Sequence, residues 1–212
     1  MGWEITGLRY RTSIVQRYEL IVRILIIGTP RSGTNTLLDW VSRETNYLKI
    51  YEPYNEICKL RTHKQEDEIK LVEDVTNKNI VVKCLYFERE KNGHVLNLFD
   101  KVIVIVRNNT KEQSESLWNS KRTNNWGERY YISPSQLKLN SVEISLEEPR
   151  LIFENNKLKE IGNSLQVTYE GVYVSGLDIE RIKNFLNLET CRYVDLLSNN
   201  NKYRHATNNR II

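Results

Sequence analysis

Apolar runs rich in valine and isoleucine recur along the chain, and amphipathic segments separate them. The runs at residues 22–27 and 102–106 are almost continuously apolar, which is typical of central strands covered on both faces. Alternation of such strands with helices indicates a parallel sheet. The predicted strands are residues 22–27, 47–51, 80–86, 102–106 and 165–169.

The segments between these runs carry helical periodicity and helix-end signals. Pro149 suits a first helical turn, because its missing N–H would have no partner there in any case. Residues 120–140 and 199–210 are polar without a clear period and predict loops. The predicted helices are residues 34–45, 66–75, 111–120, 149–161 and 178–186. We therefore expect a three-layer α/β fold around a mostly parallel sheet, in a single domain spanning residues 1–212.

Composition narrows the class of protein. The 31 Lys+Arg and 27 Asp+Glu give a net charge of +4, and no run of five basic residues occurs, so we expect no nucleic-acid partner and a mild preference for anions. The longest apolar run, residues 20–27, contains Arg23 and is far shorter than the ~20 residues of a membrane span. Scattered cysteines and the lack of a secretory signal favour a cytoplasmic location.

A turn with two glycines, Gly28 and Gly33, joins the first apolar run to the first predicted helix. Such a turn aims consecutive backbone N–H groups at one point, beside the positive end of the helix dipole. Arg31 and several hydroxyl groups lie in the same few residues, so we expect a phosphate or sulfate to bind there. The alternative is a tight turn without a ligand.

The two glycines have the spacing of a Walker loop, but the residues that hold Mg–ATP are absent from it. Thr34 stands where that loop has lysine, and Asn35 stands where it has serine or threonine. The apolar run at residues 102–106 ends in Arg107, where a metal-binding aspartate would be needed. These substitutions favour an anion held without a metal.

Residues 30–36 resemble the 5′-phosphosulfate loop of sulfotransferases that use 3′-phosphoadenosine-5′-phosphosulfate (PAPS). The resemblance extends over about residues 22–190 and implies a P-loop-like sulfotransferase fold. It also implies that PAPS is the donor substrate, that adenosine 3′,5′-bisphosphate (PAP) is the product, and that no metal is required. Asn35 departs from the usual threonine, and Arg31 can stabilise charge on the leaving phosphate but cannot act as an acid. The implied 5′-side residues are Arg31, Ser32, Gly33, Thr34, Asn35 and Thr36.

Two further motifs of the family have counterparts in this chain. A strand ending in Arg107, followed by a helix with serines near its start, resembles the motif that binds the 3′-phosphate. The family spacing falls between Ser114 and Ser116; Ser116 is our first choice and Ser114 the second. Tyr169, in a strand ending in Tyr-Glu, resembles the residue that lies against adenine, and a buried structural tyrosine is the alternative. Lys202 and Arg204 are candidates for the basic residues of a late loop that contact the 3′-phosphate.

The predicted catalytic group is Glu52, at the end of the second predicted strand, where Pro53 keeps it extended. Strand ends of a parallel sheet line one crevice, so Gly28, Glu52 and Arg107 should converge. The Tyr-Glu-Pro sequence at residues 51–53 resembles carbohydrate sulfotransferases, in which a carboxylate is the base.

Alternatives remain for the catalytic group. Glu56 is the second candidate for the base, and Glu52 could instead pair with Arg31 or Lys83 to order the cleft. Lys83 could point into the crevice near the sulfuryl group or extend to the surface.

The expected activity is transfer of a sulfuryl group to a hydroxyl or amine of a small-molecule or carbohydrate acceptor. Trp118 and Trp126 could form an aromatic platform for that acceptor, and packing is their alternative role. The alternatives for the whole protein are a P-loop nucleotide kinase or NTPase and a non-catalytic nucleotide-binding module.

Overall fold

The computed structural model describes residues 21–55, 69–70, 72–73, 78–91, 93–123, 126 and 141–188. These residues form a parallel sheet with helices on both faces. The strands are β1 (Arg23–Gly28), β2 (Leu48–Tyr51), β3 (Ile80–Leu85), β4 (Lys101–Val106) and β5 (Leu165–Thr168). The helices are α1 (Thr34–Thr45), α2 (Tyr86–Lys91), α3 (Thr110–Thr123), α4 (Ser141–Lys159), α5 (Tyr169–Tyr173) and α6 (Leu177–Leu186), with a 3₁₀ helix at Gly93–Leu98.

The five strands lie in the order β2-β3-β1-β4-β5, and every neighbouring pair is parallel. At the carboxyl end of β1, Gly28 stands opposite Leu85 of β3 on one side and Ile105 of β4 on the other. The turn that follows β1 therefore lies between the residues that follow β3 and those that follow β4.

Both faces of the central strands are covered, which explains their nearly continuous apolar sequences. Every residue of β1 and β3 is buried. On one face, Ile24 and Ile26 pack with Leu37 of α1 and Ile182 of α6. On the other face, Leu25 and Ile27 belong to a cluster that includes Leu158 of α4. The predicted three-layer α/β fold is confirmed.

All five predicted strands occur, with ends shifted by at most two residues, and the helix predicted at residues 34–45 has those bounds. The helices predicted at 111–120 and 178–186 are present with extra residues at their ends. The prediction of a loop at 120–140 is wrong for residues 120–123, which complete α3, and apart from Trp126 the rest of that segment lies outside the described residues. Residues 69, 70, 72 and 73 of the helix predicted at 66–75 are helical, and the rest of that segment, like the loop predicted at 199–210, lies outside the described residues.

The prediction that Pro149 begins a helix is wrong, because α4 starts eight residues earlier, at Ser141, and contains Pro149 in its interior. Pro149 lies on the exposed side of the helix, where water can bond the carbonyl that the missing N–H leaves unpaired. The first half of α4 is held to α3 by polar contacts. Trp118 Nε1 donates to Glu143 at 2.7 Å, Thr110 Oγ1 donates to Glu148 at 2.8 Å, and Lys121 pairs with Glu147.

Within the described ranges, no helix combines the length and apolarity that crossing a membrane requires.

Candidate functional site

The turn after β1 is folded tightly around the carbonyl of Thr29. Ser32 donates to this oxygen from its backbone N–H at 3.2 Å and from its hydroxyl at 2.8 Å, so the predicted ligand hydroxyl of Ser32 is used inside the turn. Arg31 and Gly33 both have positive φ, 66° and 89°. These left-handed residues reverse the chain so that α1 begins directly after β1.

The beginning of α1 has the features of an anion site. Gly33 is the N-cap and supplies no side chain to the helix amides, and the first turn has no acidic residue. The first N–H groups of a helix lack partners within the helix and lie at its positive end. Thr34 is buried, Asn35 is half-buried and Thr36 is exposed. Asn35 Oδ1 is buried and has no hydrogen-bond partner among the described residues.

The first and last residues of α5, Tyr169 and Tyr173, form one wall of the turn. The Tyr173 hydroxyl donates to the Gly33 carbonyl at 2.7 Å, and the Tyr169 and Tyr173 rings lie 5.0 Å apart between centroids. Burial raises the pKa of the Tyr173 phenol well above its ordinary value, so this donor stays protonated at neutral pH. Tyr173 thus fixes the position of the glycine from which the helix starts.

The Arg31 side chain extends from the turn toward α3. Its Nε donates to Ser116 Oγ at 2.9 Å, and its Nη1 donates to the Trp126 carbonyl at 2.7 Å. Ser116, which we expected beside Arg107, therefore contacts Arg31. Ser114 is fully buried, and its hydroxyl donates to the Lys111 carbonyl within its own helix at 2.8 Å.

Arg107 follows β4 and is a buried cation, with only 7% of its surface exposed. Its guanidinium carbon lies 4.3 Å from the centroid of the Tyr169 ring, an arrangement that favours a cation. One terminal nitrogen pairs with Glu112, whose side chain is 60% exposed. Arg107 Nε is buried and has no hydrogen-bond partner in the part of the chain that the structure describes. A buried guanidinium with an unused donor favours an anionic ligand.

The loop after Arg107 is fixed by the residue that follows Tyr169. Glu170 accepts the backbone N–H of Asn108 at 3.1 Å and that of Asn109 at 3.0 Å, one with each carboxylate oxygen. Because Tyr169 contacts Arg107 and Glu170 accepts the next two amides, the first residues of α5 position the loop after Arg107.

Glu52, directly after β2, forms a buried ion pair with Lys83, which lies within β3 two residues before its end. The prediction that Pro53 keeps Glu52 extended is wrong, because Glu52 has a left-handed φ of 47° and turns its N–H to the Lys83 carbonyl at 2.9 Å. Its other carboxylate oxygen accepts Asn55 Nδ2 at 2.6 Å. The pairing with Lys83 that was considered for Glu52 is observed.

Burial lowers the pKa of Lys83 from its ordinary value of 10.5 to about 8. The Glu88 and Cys84 charges oppose that shift, and the Arg31 guanidinium adds to it. The influence of Arg31 on Lys83 indicates that the turn and the ion pair belong to one electrostatic site.

Two residues that hold the site together, Gln113 and Asn155, were not singled out in the sequence. Gln113 Nε2 donates to the Pro30 carbonyl at 2.7 Å, and Asn155 Nδ2 donates to the Arg107 carbonyl at 3.1 Å. Both are buried, and each shares a helix face with buried leucines, Leu117 for Gln113 and Leu151 and Leu158 for Asn155. A lone amide at helical spacing from such leucines is the signal that could have identified them.

Of the aromatic platform candidates, Trp118 is buried against α4 and Trp126 is 41% exposed. Trp118 therefore has the packing role that was its alternative. The second candidate for the base, Glu56, and the late-loop candidates Lys202 and Arg204 lie outside the described residues.

The fold resembles solved structures of transferases. Mouse sulfotransferase SULT7A1 complexed with PAP matches with a TM-score of 0.53 and 18% sequence identity, over 84% of this chain and 64% of that chain. Shikimate kinase from Bacteroides thetaiotaomicron matches with a TM-score of 0.48 and 14% identity, over 79% of this chain and 99% of that one. Shikimate kinase from Aquifex aeolicus matches with a TM-score of 0.42 and 17% identity, over 77% of this chain and 98% of that one.

No protein-family description and no curated protein matches the chain. At 18% identity the likeness to the mouse sulfotransferase shows the α/β fold alone, and this chain spans less than two thirds of that protein.

Gly33→Ala should destabilise the protein by at least about 2 kcal/mol, because a left-handed alanine is strained and its Cβ would lie 2.5 Å from the Tyr173 ring. Gly162→Ala is the matched control, since a Cβ at Gly162 has nothing within 4 Å and should change stability by less than about 1 kcal/mol. Urea unfolding of both variants measures the difference. Equal stabilities would contradict the tight fit at Gly33.

Proposed function

We propose that this protein is a sulfotransferase that moves a sulfuryl group from PAPS to a hydroxyl or amine acceptor. The observation that carries the proposal is that Arg107, directly after β4, is buried and has an unused Nε donor. β4 is the neighbour of β1, the strand that leads into the uncapped glycine turn. An anion site on each of two adjacent strands suits a nucleotide with phosphates at both ends. A nucleotide with phosphates only on its 5′ side would not use the second site.

The residues of the first turn fit a 5′-phosphosulfate. The helix amides at Gly33 to Thr36 can donate to phosphate oxygens, and Asn35 adds a half-buried amide side chain. Arg31 remains charged at all accessible pH values and would stabilise negative charge that develops on the leaving phosphate. When bound, the donor supplies an activated sulfuryl group, and the protein supplies position and charge.

The residues of the second loop fit a 3′-phosphate and an adenosine. Arg107 would bind the phosphate, which would replace the exposed Glu112 carboxylate as the negatively charged partner of the guanidinium. Ser116, on the adjoining helix, would contribute a hydroxyl from a position that also touches Arg31, and Ser114 is the second choice. Tyr169, whose ring already stacks on Arg107, is the proposed contact for adenine.

Glu52 and Lys83 are the proposed catalytic pair. Glu52 would accept the proton of the acceptor hydroxyl as the new oxygen–sulfur bond forms, and its ion pair with Lys83 holds the carboxylate in place. Lys83, together with Arg31, would also stabilise the charge on the phosphate oxygen as its bond to sulfur breaks. None of these roles requires a metal ion.

The likeness to a sulfotransferase solved with PAP supports the proposal at the level of the fold. The acceptor is proposed to be a small molecule or carbohydrate, and the partly exposed Trp126, whose carbonyl contacts Arg31, offers an aromatic surface for it.

Calorimetric titration should show that the wild-type protein binds PAP more tightly than ADP, AMP or Mg–ATP. Addition of EDTA should leave the affinity for PAP unchanged. Arg107→Ala should weaken PAP binding by about 10- to 100-fold, since a charge-assisted bond contributes about 1.5–3 kcal/mol. AMP binding should be nearly unchanged, because AMP lacks the 3′-phosphate.

Arg122→Ala is the control for charge, since Arg122 is exposed near the carboxyl end of α3, the helix that begins after the Arg107 loop. Equal losses of PAP and AMP affinity in Arg107→Ala would contradict the 3′-phosphate assignment. Preferential binding of Mg–ATP would favour a kinase, and PAP binding without transfer from labelled PAPS would favour a binding module.

Glu52→Gln should lower turnover with PAPS ~10²–10⁴-fold, because the amide cannot take the acceptor proton. PAP affinity should stay near that of the wild type, because Glu52 follows β2, whereas the glycine turn and Arg107 follow β1 and β4. Single-turnover assays with labelled donor separate the two effects. Full activity in the variant would show that another residue is the base, and Glu56 is the next candidate.

Turnover should fall as the pH rises through about 8, because Lys83 loses its charge there. Lys83→Arg should remove this decline, since arginine stays protonated. Unfolding caused by deprotonation of Lys83 does not account for this loss of turnover. Its pKa is lower in the folded than in the unfolded chain, so this group makes unfolding less favourable as the pH rises from about 8 to 10.5. The same decline in both proteins would assign it to another group.

A further inference from the structure

Three buried polar side chains form a closed ring of hydrogen bonds beneath the two anion-binding loops. The Thr29 hydroxyl donates to Asn155 Oδ1 at 2.8 Å, and Asn155 Nδ2 donates to Gln113 Oε1 at 3.4 Å. Gln113 Nε2 closes the ring by donating to the Thr29 hydroxyl at 2.7 Å. The members come from the turn after β1, from α3 and from α4, far apart in sequence.

Each amide in the ring has one hydrogen left, and each uses it on the backbone of a different loop. Gln113 donates to the Pro30 carbonyl, directly before Arg31, at 2.7 Å. Asn155 donates to the carbonyl of Arg107 itself at 3.1 Å. The ring is thus a continuous hydrogen-bonded connection between the loop that carries Arg31 and the loop that carries Arg107.

Stability alone does not require such a ring. Thr29 and Gln113 are fully buried, Asn155 is 3% exposed, and burying polar groups costs free energy that apolar residues of similar shape would not cost. A fully satisfied polar network does provide a fixed geometry, since each partner accepts only one arrangement of the others.

We propose that Thr29, Gln113 and Asn155 are positioning residues that set the separation between the two anion sites, and so make the site selective for a nucleotide phosphorylated at both ends. The proposal deepens the proposed function and rests on it. A ligand that occupies one site gains nothing from the fixed separation, whereas a ligand that spans both gains from each contact being in place beforehand.

Thr29→Val tests the connection, because valine has the shape of threonine without its hydroxyl. Loss of this group opens the ring and frees both amides to rotate. The quantity measured is the ratio of the affinity for PAP to the affinity for AMP, which the 3′-phosphate should raise above one in the wild type. Thr29→Val should lower this ratio about tenfold, as expected for one lost buried hydrogen bond. AMP affinity should change little, and Thr29→Ser should restore the ratio.

Thr45→Val is the matched control, since the Thr45 hydroxyl bonds the Val41 carbonyl at 2.7 Å near the opposite end of α1. It should leave the ratio unchanged. Equal losses of PAP and AMP affinity in Thr29→Val would overturn the proposal, because general destabilisation predicts that result. If Thr29→Val does not fold, Gln113→Met, which breaks the bonds to Thr29 and Pro30, replaces it with the same expected drop in the ratio.

Hydrogen exchange without ligand separates this proposal from the proposed function. Backbone amides at residues 107–110 should exchange faster in Thr29→Val than in the wild type or Thr45→Val, although the altered residue lies in the other loop. A wild-type protein that does not prefer PAP would overturn the proposed function, whereas unchanged exchange at residues 107–110 would overturn the connection between the loops.

Discussion

All five strands run in one direction, and this constraint gathers the residues after each strand along a single edge of the sheet. The glycine turn, the Glu52–Lys83 pair, the Arg107 loop and Tyr169 come from separate parts of the chain. The turn, Glu52, Arg107 and Tyr169 directly follow four different strands, and Lys83 lies two residues before the end of β3, so the register of the sheet places them side by side. The arrangement of candidate site residues at this edge therefore depends first on backbone hydrogen bonds among strands whose own side chains are mostly apolar.

The strands could be predicted because burial on both faces leaves a direct trace in the sequence, a short run of apolar residues. The first half of α4 left no such trace. Val142 and Leu146 are exposed there, and Glu143 and Glu147 make the contacts with α3, so the hydrophobic pattern does not follow the side of the helix that is packed. Pro149 was the one strong local signal, and its usual position in a helix misplaced the start. Contacts between polar faces depend on the tertiary arrangement and are not encoded in periodicity.

The candidate site, like the fold, could be predicted from the sequence only in part. That Gly28, Glu52 and Arg107 lie along one edge could be predicted, because strand ends of a parallel sheet meet there. Which side chains pair could not be fixed, since pairing depends on side-chain distances across the sheet. Ser116 contacts Arg31, a bond that was not predicted, and Glu52 pairs with Lys83, one of the two partners considered for it. Gln113 and Asn155 could have been recognised as amides on apolar helix faces, but their hydrogen-bond partners depend on the tertiary arrangement.

The order of the strands also has a consequence during synthesis. β1 is the middle strand, yet both of its neighbours, β3 and β4, are encoded after it. The ribosome must add residues 29–85 before β3 is complete, which takes about 3–11 s at ~5–20 residues per second. Throughout that interval Ile24 to Ile27, an apolar strand with unpaired backbone groups, has no place in a sheet. The segment that later becomes the centre of the folded protein therefore waits longest for its partners.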